Sequence, residues 1–155
     1  MVDIKDLLAY NDVERHAFFE AFGKMSWKEF VKNREASFNS IRNIFIHTLN
    51  AIDYWLDFLQ NEKKCSKKKF EEYKTLKEIE AYMKHVENRM TKYLESLKPA
   101  DLKRKYTGKR EGKPETVTAE DLLVHVFEEE VHHRGELIAL FWQMDIKPPL
   151  RGYPP

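Results

Sequence analysis

The segment EEEVHHRGEL, residues 128–137, concentrates side chains that bind metals or transfer protons. The residues around it have the apolar spacing of a helix. Steps of three and four residues trace an apolar stripe that is interrupted only in its middle: Leu122, Val126, Glu129, His133, Leu137, Leu140 and Met144. Residues four apart lie about 40° apart around a helix axis and one turn along it. We therefore expect Glu129 and His133 to point inward and to reach one atom together.

A second apolar helix carries one imidazole, His47, between Ile44 and Ala51 on its own stripe. A carboxylate buried alone is costly, and a cation held by His47, Glu129 and His133 would remove that cost. Two histidines and one carboxylate, with positions left for water, suit a divalent metal site that does chemistry; Zn, Fe(II), Ni and Mn all remain open. Two interpretations without a metal also remain open. His47 could be a core histidine bonded to a backbone carbonyl, and Glu129 could form an internal ion pair with His133.

Two further histidines flank this predicted site. His132 falls on a neighbouring polar stripe of the same helix, so we expect it to face solvent. His125 lies one turn before Glu129 and is a fallback ligand. It is roughly 12 Å along the helix axis from His133, which is too far for the two to share a metal readily. No catalytic residue beyond these candidates is identified.

Arg134 and Gly135 complete the segment. Arg134 could contact an anionic substrate or a neighbouring subunit, and the alternative is a surface salt bridge to Glu130, four residues earlier. Glycine within a helix costs about 1 kcal/mol relative to alanine. Close approach by another helix or by a ligand is the usual compensation, and we expect one of these at Gly135.

Composition bounds the class of protein. The chain has 155 residues, a net charge of +1 and one cysteine, Cys65, so it should form one domain, residues 1–155, without an internal disulfide. The balanced charge makes a nucleic-acid partner an unfavoured expectation. No apolar run approaches the roughly 18 residues of a membrane span, and the N-terminus lacks a secretion signal, which predicts a cytoplasmic protein with no membrane partner.

Apolar spacing and the scarcity of glycine and proline predict an all-α fold with four long helices. Their predicted bounds are about 3–22, 37–60, 69–97 and 118–144. Thr118 should cap the last helix, with Asp121 bonding back. Trp27 and Phe30, between the first two helices, should close one end of the bundle. The segment before Thr118 reads as a short irregular, solvated excursion between the third and fourth helices.

Two stretches carry a family resemblance: HTLNAIDYWLDFL in the second long helix and HVFEEEVHHRGELIALFWQMDIKPP in the last. They resemble the DinB/YfiT-like superfamily, over nearly the whole chain. The resemblance implies an up-down four-helix bundle with a metal held by three histidines, one from the second helix and an H-x-x-x-H pair from the last. It places the first ligand at His47, the last at His133 and the middle one at Glu129, where this chain departs from histidine.

The resemblance also implies homodimers and, in several relatives, transfer or isomerisation reactions in which the metal activates a low-molecular-weight thiol. A metal-binding protein of this kind, acting as a transferase or hydrolase on an unknown small molecule, is the first hypothesis. The competing hypothesis is a non-enzymatic helical homodimer with a degenerate metal site. A weaker third hypothesis is a protein related to DNA damage that contacts nucleic acid through the basic segment KRKYTGKREGK.

Overall fold

A computed structural model of the chain describes residues 3–61, 67–110 and 112–153. Cys65 lies outside these residues. Over the described residues the protein is mostly helical, as predicted, with one two-stranded sheet. The elements in chain order are α1 (Ile4–Phe22), α2 (Trp27–Val31), α3 (Ile41–Leu59), α4 (Leu76–Ser96), β1 (Lys105–Arg110), β2 (Lys113–Thr118) and α5 (Ala119–Gln143).

Two of the predicted helix starts were too early. The α3 helix begins at Ile41 rather than near 37, because the hydroxyl of Ser40 caps it by accepting a hydrogen bond from the backbone of Asn43. The α4 helix begins at Leu76 rather than near 69, because Thr75 and Glu78 form a reciprocal capping box. The residues counted into α4 by their spacing instead form a short 3₁₀ turn, Phe70–Glu72.

The α5 helix begins where the sequence predicted. Thr118 accepts a hydrogen bond from the backbone N–H of Asp121, and the Asp121 carboxylate accepts one from the backbone N–H of Thr118. This reciprocal pair satisfies N–H groups that the first turn of the helix leaves free. The capping box fixes the start of the helix that carries Glu129 and His133.

The segment before α5 is a regular hairpin rather than the predicted irregular excursion. Strands β1 and β2 are antiparallel, and Tyr106 lies opposite Val117. The turn uses Gly112 at a φ of 80°, in the left-handed region that glycine adopts without strain. The hydroxyl of Tyr106 donates a 2.9 Å hydrogen bond to the carbonyl of Leu59 at the end of α3, which attaches the hairpin to the helices.

The helix α3 packs against both α4 and α5, and α1 packs against α5. The buried apolar side chains form two clusters, one after the other along α5. One is rich in phenylalanine and includes Leu137 of α5, and the other includes Val126 of the same helix. Glu129 and His133 lie between these two positions, so α5 presents them at the level where the clusters meet.

The short helix α2 closes one end of the core with Phe30, which is buried against Phe22. Trp27 contributes less than predicted, because it is 36% exposed; its ring is tilted against that of Phe30 at a centroid distance of 5.6 Å. Within the described residues, no helix combines the length and the apolar character needed to cross a bilayer.

Candidate metal centre

Glu129 and His133 lie one turn apart on the face of α5 that meets α3. His133 is buried, with 7% of its surface exposed, while Glu129 is partly exposed. Nε2 of His133 lies 3.5 Å from Oε2 of Glu129. The predicted inward direction of His133 is confirmed, and so is the outward direction of its neighbour His132, which is exposed.

His47 reaches the same point from α3. Its Nε2 lies 4.0 Å from Oε2 of Glu129, and its ring meets the ring of His133 edge to face at a centroid distance of 4.7 Å. Each of the three residues offers one potential ligand atom, and these atoms lie within 4.8 Å of one another. The structure therefore brings together the three residues that the sequence singled out, from helices that are about 80 positions apart in the chain.

The spacing of these atoms favours an ion over a direct bond. Separations of 3.5 and 4.0 Å between the imidazole nitrogens and Glu129 exceed the roughly 2.7–3.2 Å of an N–H···O hydrogen bond. Ligand bonds of about 2.0–2.2 Å in a tetrahedral zinc site separate donor atoms by roughly 3.3–3.6 Å. Neither imidazole is therefore within direct hydrogen-bond distance of Glu129, and the His133–Glu129 separation matches that of two ligands on one metal ion, while the other ligand atoms, up to 4.8 Å apart, would have to move slightly closer.

The electrostatics of the cluster also suit a cation. Burial lowers the pKa of His47 below its ordinary value, and the nearby His133 lowers it further, against the opposing effect of Glu129. A lowered pKa keeps His47 neutral, with a free nitrogen lone pair, near neutral pH. Two neutral imidazoles and one carboxylate would leave a divalent ion with one net positive charge.

The loop before α3 contacts both histidines. The ring of Phe38 stacks on His47 at a centroid distance of 3.8 Å and meets His133 edge to face at 5.5 Å. Glu136 accepts a 2.6 Å hydrogen bond from the hydroxyl of Ser37, and its other oxygen lies 2.9 Å from Nδ1 of His133. Burial by itself would raise the pKa of Glu136, but the bonds from Ser37 and His133 hold it below its usual value.

A cleft of about 400 Å³ opens beside the cluster and runs along α3. His47 and Glu129 line it, whereas the buried His133 does not. The rest of the lining mixes an alanine and two aromatic side chains with polar ones: Ala51, Tyr54 and Trp55, and Asn50, Asp57 and Lys67. A small molecule in this cleft would approach the cluster from the side of His47 and Glu129.

The fallback ligand His125 also lines the cleft, but it is not part of the three-residue cluster found among the described residues. Its Nε2 lies 3.9 Å from Oε1 of Glu129, the oxygen that faces away from the other two imidazoles. The ring of Trp55 packs edge to face against it at 5.2 Å. His125 therefore lines the cleft beside the cluster and is not one of its three potential ligands.

Arg134 does not point into the cleft. It donates a 3.0 Å hydrogen bond to the side-chain oxygen of Asn11 and lies over the ring of Tyr10, both on α1. Its predicted partner Glu130 is buried and accepts hydrogen bonds from Arg15 instead. No close approach was found at Gly135, because a methyl group there would meet nothing within 4 Å among the described residues.

The sequence missed the buried Arg15–Glu130 pair and the contacts of Ser37, Phe38 and Glu136. Glu136 left a usable signal, because a carboxylate three residues after a candidate ligand is close enough to bond it on a helix. Ser37 and Phe38 left none, because they belong to a loop that the prediction counted as part of the helix.

The model for the DinB family matches residues 1–154. The chain belongs to the DinB family. None of the curated proteins compared with this DinB family member matches it. The family assignment rests on the whole sequence, and the three-residue cluster rests on the distances between three side chains.

Proposed function

We propose that this DinB family protein binds one divalent metal ion through His47, Glu129 and His133 and uses it to transfer a group between a low-molecular-weight thiol and a small molecule. The observation that carries the proposal is the cluster itself, in which three potential ligands converge at a cleft without bonding one another directly. Family membership supports it. The four long helices would form the up-down bundle that the resemblance implies.

The metal ion and the residues around the cluster would have separate roles in such a site. A divalent ion would supply Lewis-acid chemistry and lower the pKa of a thiol or water that it binds. Phe38 covers the cluster beside His47 and His133 and would limit the access of water from that side. A substrate would then approach the cluster through the cleft. There Trp55 and Tyr54 offer aromatic surface for its apolar part.

Glu129 sets the charge of the proposed centre. A carboxylate in place of a third neutral imidazole lowers the net charge by one and makes the site a weaker acidifier of bound groups. A thiol, with an unperturbed pKa of about 8.5, needs a much smaller shift than water to ionise near neutral pH. The ligand set therefore favours thiol transfer over hydrolysis by activated water.

Cobalt(II) is a suitable probe for this function because its absorption reports both coordination and sulfur binding. We expect the cobalt-loaded protein to develop a sulfur-to-cobalt charge-transfer band when 2-mercaptoethanol is added, and no such band with ethylene glycol. A cobalt spectrum that 2-mercaptoethanol leaves unchanged would reject the thiol and leave hydrolysis as the reaction. Failure to take up cobalt would reject the metal-binding function.

The competing hypothesis, a non-enzymatic protein with a degenerate site, has a specific requirement. Glu129 would then have to bond directly to His47 or His133, and the observed separations of 4.0 and 3.5 Å do not favour this. The cobalt experiment separates the two hypotheses, because a degenerate site would bind no metal at stoichiometric concentration.

A further inference from the structure

The loop between α2 and α3 reaches across to α5 through one chain of polar contacts. The hydroxyl of Ser37 donates a 2.6 Å hydrogen bond to Oε2 of Glu136, and the backbone N–H of Ser37 approaches the same oxygen at 3.4 Å. The other oxygen of Glu136 lies 2.9 Å from Nδ1 of His133. One carboxylate thus joins the loop to the imidazole.

The loop is held in the shape that this contact needs. Two contacts of Arg34 brace the loop: its backbone N–H donates to the carbonyl of Asn39 at 2.6 Å, and its guanidinium pairs with Glu29 at 2.5 Å. Asn39 adopts a φ of 68°, which turns the chain back before α3 begins. These contacts place Ser37 beside Glu136.

We propose that Glu136, held by Ser37, is a positioning residue that fixes the tautomer and ring orientation of His133. This inference rests on the proposed metal-binding function. With its Nδ1–H donated to Glu136, neutral His133 keeps the lone pair on Nε2, the atom that lies 3.5 Å from Glu129. Without Glu136, the proton could move to Nε2 and remove the donor atom from the cluster.

The same loop orients the second histidine by packing. Phe38, next to Ser37, stacks on His47 with an interplanar angle of 19° and a centroid distance of 3.8 Å. Stacking restricts rotation of the His47 ring, as the hydrogen bond restricts the His133 ring. Two adjacent loop residues therefore contact the cluster on both sides: Phe38 touches His47 directly, and Ser37 reaches His133 through Glu136.

The tautomer can be measured without any metal. Two-bond ¹H–¹⁵N correlation spectra of the metal-free protein at mildly alkaline pH distinguish a proton on Nδ1 from one on Nε2. We expect His133 to carry its proton on Nδ1 in the wild type and to shift toward Nε2–H in Glu136→Ala. A wild-type His133 with its proton on Nε2 would overturn the inference, whatever the result of metal binding.

Metal affinity gives a second readout. Glu136→Ala should weaken zinc binding about 10–100-fold in competition with a chromophoric chelator. Glu136→Gln should recover much of that loss, because its amide oxygen still accepts the Nδ1–H. Ser37→Ala should weaken binding about threefold, since it removes one neutral donor. The matched control is Glu128→Gln, which changes an exposed glutamate of the same helix and should leave affinity unchanged.

The possible outcomes distinguish the role of Glu136 from the proposed metal-binding function. Equal zinc affinity and an unchanged cobalt spectrum in wild type and Glu136→Ala would show that Glu136 does not position His133, with metal binding intact. A merely structural role would lower the thermal stability of the metal-free variant and leave the tautomer unchanged, and this result would also overturn the inference. A wild type that binds no metal would reject the function alone, because the tautomer measurement still decides the role of Glu136.

Discussion

Nε and Nη2 of Arg15 both donate to the carboxylate of Glu130, at distances between 2.7 and 3.0 Å, in the interior between α1 and α5. Burial by itself would lower the pKa of Arg15, but Glu130, Asp12 and Glu87 hold it well above its ordinary value. Asp12 belongs to α1 and Glu87 to α4, so one guanidinium links three helices.

Removing one partner of this pair should destabilise the protein strongly. Arg15→Met should lower the free energy of unfolding by about 3–5 kcal/mol, because Glu130 would remain buried without its counter-ion. Chemical denaturation measures the loss. The double variant Arg15→Met/Glu130→Leu should be more stable than the single variant, since it leaves no uncompensated charge. A double variant that is as unstable as Arg15→Met, or less stable, would contradict this explanation.

Neither partner of this pair could be assigned from the sequence. Arg15 and Glu130 are 115 positions apart, and apolar spacing says nothing about which charged residues meet. The sequence indicated Glu130 as an alternative surface partner of Arg134, because it lies four residues earlier on the helix. The four long helices were predictable, since each has enough apolar residues at helical spacing. The starts of α3 and α4 were not, because apolar residues continue past the caps at Ser40 and Thr75 into the preceding turns.

His47, Glu129 and His133 were predictable for a different reason. A polar side chain on an otherwise apolar stripe is conspicuous, and two such stripes imply a buried polar meeting point. Ser37 and Phe38 lie in an irregular loop where no periodicity applies. The sequence therefore predicts the side chains that form the cluster and omits those that orient it.

Replacing the unusual carboxylate should retune the centre. Glu129→His keeps a donor at this position and removes one negative charge, so a thiol or water bound there should ionise at lower pH. A pH titration of the cobalt spectrum measures this change, and we expect a midpoint at lower pH in Glu129→His than in wild type. A midpoint that stays at the wild-type pH, or rises, would contradict the assignment of Glu129 as a ligand. Glu129→Ala, which offers no donor, should bind metal at least about 10-fold more weakly.

Filling the cleft should separate metal binding from substrate access. Ala51 lines the cleft one turn along α3 from His47. Ala51→Phe should place a bulky ring in the path to the cluster and leave the three proposed ligands in place. We expect unchanged zinc affinity and an affinity for benzyl mercaptan, followed through the cobalt spectrum, that falls at least about 10-fold. Equal binding of this thiol by both proteins would place its site elsewhere.

Acid should weaken the contacts between α3 and α4. Burial by itself would raise the pKa of Asp53, but hydrogen bonds and charge from Lys67 and Arg89 hold it below its usual value. A carboxylate with a lowered pKa in the folded state stabilises that state above the unfolded pKa of about 3.9, and the contribution is lost as pH falls through the folded value. We therefore expect stability to fall in the acid range below about pH 4.

The variant Asp53→Asn isolates this contribution. It should lower the free energy of unfolding at neutral pH by about 2 kcal/mol, because charge-assisted hydrogen bonds become neutral ones. It should also show a shallower loss of stability below about pH 4 than wild type. Glu95→Gln, at an exposed position on α4, is the control and should follow the wild-type profile. Identical acid profiles for wild type and Asp53→Asn would contradict the assignment.

The central claim is that His47, Glu129 and His133 hold one metal ion, and the most direct test compares the two adjacent histidines of α5. Metal content of untagged protein, measured by plasma mass spectrometry after incubation with zinc and gel filtration, should be about one ion per chain for wild type and for His132→Ala, whose ring is exposed. His133→Ala, which removes the buried ligand, should retain almost none. Wild-type protein without metal, or equal metal content in the two variants, would contradict the account.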